Sequence, residues 1–136
     1  MAKAKKKAAA NTLAAGEHKA IKAPVIAYEP AKTKKYNPPI GLIGCGGITQ
    51  SHLTAYKAAG YNVVAVCDLK KERAEERKKA FFPKADVYTD YRELLKRQDI
   101  EVVDVATHPQ DREYLVPAAL NAGKHVLSQK PFVLDL

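Results

Sequence analysis

At 136 residues the chain suits one modest domain, and its charge is unevenly spread. Residues 1–36 carry nine lysines against Glu17 and Glu29, a net of +7 out of +8, whereas residues 37–136 hold 14 Lys+Arg and 13 Asp+Glu, a net of +1. The high isoelectric point therefore belongs to the leading segment, and the near-neutral remainder argues against a basic nucleic-acid-binding domain.

The leading segment lacks helical or strand periodicity and ends in the Pro- and Lys-rich "EPAKTKKYNPP". It is expected to be a flexible, solvated basic arm over 1–36, followed by a dinucleotide-binding domain over 37–136. The arm lacks the interleaved aromatics that stack bases, so no nucleic-acid partner is expected beyond weak attraction to polyanions. It never sustains the roughly 7–15 apolar residues of a secretory signal, and nothing reaches the roughly 20 of a membrane span. The expected location is the cytoplasm. Cys45 and Cys67 form no CxxC and have no paired histidines, so they are read as small buried residues and no metal is expected.

After Pro39 the pattern changes. "IGLIGC" (40–45) is a short apolar run that predicts a buried strand. It feeds the turn "GCGGIT", and a helix is predicted over 48–59, closed by Gly60 in a left-handed C′ position. "NVVAVC" (62–67) predicts a second strand ending at Asp68, and a helix follows over 71–82. "DVY" (86–88) is a third strand; Asp90 with Glu93 three residues on is a capping-box pattern opening a helix over 90–98. "VVDVAT" (102–107) is the fourth strand, then a helix over 111–122 in which Pro117 removes one ladder hydrogen bond and Gly123 ends the run. "HVLS" (125–128) is the fifth. Strand and helix in steady alternation predict an α/β fold, a Rossmann-type doubly wound parallel sheet of about five strands.

The chemistry concentrates at the turns. Gly44 permits a tight bend, and Gly46 lets backbone approach a pyrophosphate without an intervening Cβ. The following helix N-terminus offers unpaired N–H groups and a positive dipole end. Thr49 stands where a third glycine or alanine allows close packing; it is expected to hold the helix slightly further out and to offer its hydroxyl to a phosphate oxygen. On that reading Thr49→Ala barely weakens binding, whereas a bulky residue at 46 abolishes it. Asp68, 22 residues after Gly46, lies at the distance of a ribose-binding carboxylate. It favours NAD and repels the 2′-phosphate of NADP, although Lys70 or Lys71 can pair with that phosphate. In open α/β sheets ligands bind beyond the carboxyl ends of the strands. That edge collects Thr107, His108 and Pro109 after the fourth strand and Gln129, Lys130 and Pro131 after the fifth. Lys130 is the candidate proton donor or carbonyl polariser.

Residues 39–136 resemble the N-terminal half of the Gfo/Idh/MocA oxidoreductases. The motifs that carry the likeness are "IGLIGCGGITQSHL", "VVAVCDLKKERA", "YTDYRELLKRQDIEVVDVAT" and "AALNAGKHVLSQKPF", in that order. The resemblance implies NAD(P)-dependent oxidation or reduction at a carbinol carbon of a sugar, an inositol or a related polyol. It implies that Gly44, Gly46, Gly47 and Ile48 hold the pyrophosphate and that Asp68 holds the adenosine ribose. Thr107, His108 and Pro109 would line the cofactor, and Lys130, in the family's Glu-Lys-Pro motif, would stand beside nicotinamide and substrate. Three positions depart from the family pattern. Gln129 replaces the motif's glutamate, Arg112 stands where many members carry histidine, and His108 where proline is common. Members continue into a second domain that supplies an Asp/His pair and most oligomer contacts. The chain is therefore expected to be the cofactor half of an enzyme, with little or no turnover alone; the alternative is a non-catalytic NAD(H)-binding or regulatory module.

Overall fold

The computed structural model describes residues 22–26 and 35–134. The chain divides into two units, Met1–Lys32 and Thr33–Leu136. Of the first, residues 22–26 are exposed and form neither helix nor strand. The basic arm expected over 1–36 lies for the most part outside the described residues.

The second unit runs β1 (Pro39–Ile43), α1 (Thr49–Ala59), β2 (Asn62–Cys67), α2 (Lys71–Phe81), β3 (Asp86–Tyr88), α3 (Tyr91–Leu95), β4 (Val102–Val105), α4 (Pro109–Asn121), β5 (His125–Ser128). The sheet order is β3-β2-β1-β4-β5 and every pairing is parallel. Order reverses between β1 and β4, so the loops leaving these two strands part and open a crevice above the sheet. That crevice is where the glycine turn and the Thr107 turn lie.

The inner strands β1, β2 and β4 are buried on both faces, which is why their residues read as apolar runs rather than as an alternation, whereas the edge strands β3 and β5 stay partly exposed. On one face Ile43, Ala65, Val103 and Val105 pack with Leu94, Leu115 and Ala119. On the other, Ile40, Leu42, Val63 and Val66 pack with Leu53 and Ala74. The β1–β2 register slips between Ile40 and Gly41, where Val63 and Ala65 are the successive partners. Val64 is the extra residue, and Ala65 consequently shares the first core with it.

The element ends carry their own chemistry. Gly60 and Gly123 close α1 and α4 at φ 76° and 74°, as the sequence predicts. Asp90 caps α3 by accepting from the Arg92 N–H at 2.9 Å. Glu93 does not complete the capping box; its carboxylate accepts from Lys96 Nζ at 2.6 Å instead. Helix α3 stops at Leu95, three residues short of its predicted end, and α4 starts at Pro109, two residues early. Proline suits that first helical position because its missing N–H would be unpaired there anyway.

Candidate nucleotide-binding cleft

The crevice at the β1/β4 switch has a volume of about 1010 Å³. All the site residues expected from the sequence line it: Gly44, Gly46, Gly47, Ile48, Asp68, Thr107, His108, Pro109, Gln129 and Lys130. They come from four separate loops, and the topology alone gathers them.

The glycine turn is built from inside. Gly44 has φ +93°, and a Cβ there would lie 2.9 Å from Thr107 Cγ2 and 3.0 Å from the Ala106 carbonyl oxygen. Its N–H donates to the Cys67 carbonyl at 2.8 Å, pinning the turn to the end of β2. A Cβ at Gly46 or Gly47 would meet no protein atom within 4 Å, so nothing in the chain itself demands glycine at these two cleft positions. The N–H groups of Gly46, Gly47 and Ile48 have no backbone partner among the described residues, and Ile48 at the N-cap brings no capping side chain. An anion with room for close backbone approach fits this arrangement.

Thr49 behaves differently from expectation. It is fully buried, and its hydroxyl donates to the Gly46 carbonyl at 2.6 Å. The hydroxyl is therefore engaged within the turn and is not free to donate to a phosphate. Arg77 adds a second donor to the same carbonyl at 3.2 Å. Thr49 and Arg77 together aim the Gly46 carbonyl inward, which leaves the N–H side of the turn facing outward.

Asp68 is likewise held in place. Its Oδ2 accepts from the Cys45 N–H and its Oδ1 from the Lys70 N–H, both at 2.8 Å. Each carboxylate oxygen keeps a second lone pair for a ligand hydroxyl. Lys70 and Arg73 also line the cleft. Cys45 and Cys67 are buried and free; burial, with the Asp68 charge beside them, pushes both thiols up to about 12. Thiols so disposed are protonated packing groups rather than nucleophiles.

The far wall owes its order to Arg112. This residue is buried, and its guanidinium donates to the Thr107 carbonyl through Nε at 3.1 Å and Nη2 at 2.5 Å. Nη1 donates to the carbonyls of Gln129 and Pro131. One side chain thus clamps the turn after β4 to the turn after β5. His108 is exposed at the N-cap of α4, and Lys130 is exposed after β5 with its N–H donated to Gln129 Oε1 at 2.8 Å.

Sequence reasoning did not anticipate a buried polar chain beneath this wall. Asp104 is fully buried in central strand β4 and accepts at Oδ2 from the Tyr56 hydroxyl at 2.7 Å. His52 Nδ1 lies 2.7 Å from the same oxygen, and His52 Nε2 lies 2.9 Å from Gln129 Nε2. Burial, then the Asp104 charge, pushes the Tyr56 hydroxyl far above its ordinary value and keeps it a donor. A signal existed: an aspartate inside the apolar run "VVDVAT", and His52 and Tyr56 spaced i, i+4 on one helix face. Asp90, Tyr91 and Tyr114 also line the cleft without having been singled out. Among the described residues no group of three His, Cys, Asp or Glu side chains could hold a metal ion, and no helix is long and apolar enough to cross a membrane.

The profile of the oxidoreductase family with an NAD-binding Rossmann fold (Gfo/Idh/MocA) matches residues 39–136. The chain belongs to this family. Inositol 2-dehydrogenase of Salmonella typhimurium is 35% identical over 96 residues, covering 69% of this chain and 29% of that protein. D-apiose dehydrogenase of Paraburkholderia graminis is 36% identical over 96 residues, covering 70% and 25%. The crystal structure of myo-inositol dehydrogenase from Lactobacillus casei, in complex with NAD(H) and myo-inositol, superposes with a TM-score of 0.68 at 32% identity, over 72% of this chain and 30% of that one. A mutant of KijD10, a 3-ketoreductase from Actinomadura kijaniata in complex with TDP-benzene and NADP, superposes with a TM-score of 0.68 at 29% identity, over 74% and 32%. The chain spans less than a third of the length of these relatives.

Proposed function

We propose that the cleft binds NAD and that the chain is the cofactor-binding portion of an oxidoreductase acting on a CH–OH group of a sugar, an inositol or a related polyol. The observation that carries this reading is the pair of unobstructed glycines, Gly46 and Gly47, beside N–H groups at the start of α1 that have no partner among the described residues. These groups take the pyrophosphate, and Asp68, with a lone pair left on each oxygen, takes the ribose hydroxyls. Bound there, the nicotinamide supplies the two-electron redox partner. Lys130, at the end of the same cleft, donates a hydrogen bond to the reacting oxygen and polarises its bond to carbon. Thr107, His108 and Pro109 form the wall against which the cofactor lies, and Gln129 reaches it from β5. The cytoplasm, where free thiols such as Cys45 and Cys67 stay reduced, is the compartment this reading assigns.

NADP is the second reading, since Lys70 and Arg73 line the cleft on the chain that follows Asp68 and can neutralise a 2′-phosphate. Parallel titrations of the 136-residue chain with NADH and NADPH, followed by nicotinamide fluorescence, separate the two. Gly46→Val is expected to weaken binding on the order of 100-fold by filling the pyrophosphate approach. The circular dichroism spectrum and unfolding midpoint should stay as in the parent, because the added Cβ meets no protein atom. Equal NADH affinity in parent and variant, or no binding by a folded parent at millimolar cofactor, would overturn the proposal.

A further inference from the structure

A carboxylate inside a parallel sheet is costly, and an apolar residue at the same place would usually be no worse for stability. Asp104 is such a carboxylate, fully buried, with Oδ1 lacking any partner among the described residues. Its neighbours Val103 and Val105 belong to one core, so Asp104 projects from the opposite face of β4, where it meets His52 and Tyr56 of α1. That connection leads to one destination.

The polarity of the chain is fixed by its ends. Asp104 Oδ2 is the acceptor of the Tyr56 hydroxyl, and His52 Nδ1 is the second donor to it across the 2.7 Å contact. In a neutral ring Nε2 then carries the lone pair and accepts from the Gln129 side-chain amide at 2.9 Å. With its NH₂ turned to His52, Gln129 presents Oε1 to the Lys130 N–H at 2.8 Å. Each group has a single role, and every role agrees with the next. Arg112 grips the backbone on either side of Lys130, through the carbonyls of Gln129 and Pro131.

We propose that Asp104, His52 and Gln129 form a positioning relay that fixes the Gln129 amide and, through it, the backbone at Lys130. The inference rests on the reading that Lys130 faces the reacting centre. His52 and Asp104 touch neither cofactor nor substrate; they act by denying the Gln129 side chain its flipped orientation, in which its NH₂ would confront the Lys130 N–H. Tyr56 supports the relay by holding Asp104 Oδ2 from the side.

The test uses the 136-residue chain labelled with ¹⁵N. Imidazole spectra in neutral buffer are expected to show His52 as the Nδ1–H tautomer; a ring protonated at Nε2 alone would overturn the relay. His52→Asn places an amide donor where Nδ1 stood, keeping the bond to Asp104 while removing the reach to Gln129. The fold should hold, but the Lys130 amide signal should shift and its hydrogen exchange should quicken roughly 3- to 10-fold, the size of one neutral hydrogen bond. An unmoved Lys130 amide in this folded variant would count against the proposal. Gln129→Glu sets a second carboxylate on Nε2, so the ring should appear doubly protonated in the same buffer; a singly protonated ring would overturn the assignment. None of these readouts needs bound cofactor. A relay that behaves as described in a chain that binds no NADH would support the relay and overturn the nucleotide reading. NADH binding with an unresponsive Lys130 would do the reverse.

Discussion

Two turns close the cleft, and they are ordered by different means. The Gly44–Thr49 turn combines bonds of its own, a positive φ at Gly44 and the Thr49 hydroxyl on the Gly46 carbonyl three residues back, with anchors from Cys67, Asp68 and Arg77. The Gln129–Pro131 turn follows an edge strand, and Gln129 and Lys130 are joined locally only by one side-chain bond to the Lys130 N–H. Its fixed points arrive from afar, from Arg112 seventeen and nineteen residues away and from His52 seventy-seven residues away. On the proposed reading, the first turn keeps its N–H groups for a ligand because its carbonyls are the groups that are tied, and the second is held by its backbone so that the Lys130 side chain stays free.

The largest way to break this contrast is at Gly44. Alanine there must adopt φ near +93° and bring its Cβ within 3.0 Å of the Ala106 carbonyl, which is backbone and cannot swing away. The left-handed conformation costs about 1–2 kcal/mol, and the overlap adds to it, so Gly44→Ala should lose about 3 kcal/mol or more in a urea titration. A loss below about 1 kcal/mol would mean the turn is softer than its hydrogen bonds imply. Arg112→Met, which keeps length and apolar stem, tests the other turn. It strips donors from three carbonyls, of which the Gln129 and Pro131 groups lie near solvent and can turn to water. A loss of about 2 kcal/mol is expected, with faster hydrogen exchange concentrated at 129–131 and the glycine turn unchanged. Uniform acceleration across both turns would erase the distinction between them.

The same contrast explains what could be read in advance. Five strands, four helices and their order follow from apolar runs of fixed length between turn residues, and each of those signals is local. Gly44, Gly60 and Gly123 were legible because a left-handed backbone advertises itself as glycine. The cleft membership of Asp68, Thr107 and Lys130 was legible because loops at the carboxyl ends of parallel strands must share one edge. The roles of Arg112 and Asp104 were not, since each depends on which carbonyl or ring the fold brings within 3 Å. Arg112 stood out only as a departure from the family's histidine, and nothing in its neighbours hints at a clamp between two turns. Helix α3 ends at Leu95 with Lys96 as its C-cap, and beyond it the Arg97 guanidinium pairs with Asp86 and Asp99, contacts that no local pattern announces.

Thr49 is where local reading misjudged a local residue, and it gives the subtlest prediction. Taken as a substitute for glycine, its hydroxyl had an obvious phosphate to reach; buried at 0% exposure, it reaches the Gly46 carbonyl instead. Removing it leaves that carbonyl to Arg77 alone, at a longer 3.2 Å. One buried hydroxyl bond and a small void should cost Thr49→Ala about 1–2 kcal/mol of stability. Thr49→Ser keeps the donor and loses only a methyl group, so it should retain the larger part of both stability and NADH affinity. On the reading of Thr49 as a packing variation with a phosphate contact, Thr49→Ala would barely weaken NADH binding and would leave the unfolding midpoint in place. The geometry requires the two to fall together: the hydroxyl acts on the ligand only by holding the Gly46 carbonyl inward, and loosening that peptide loosens both the turn and the N–H groups it presents.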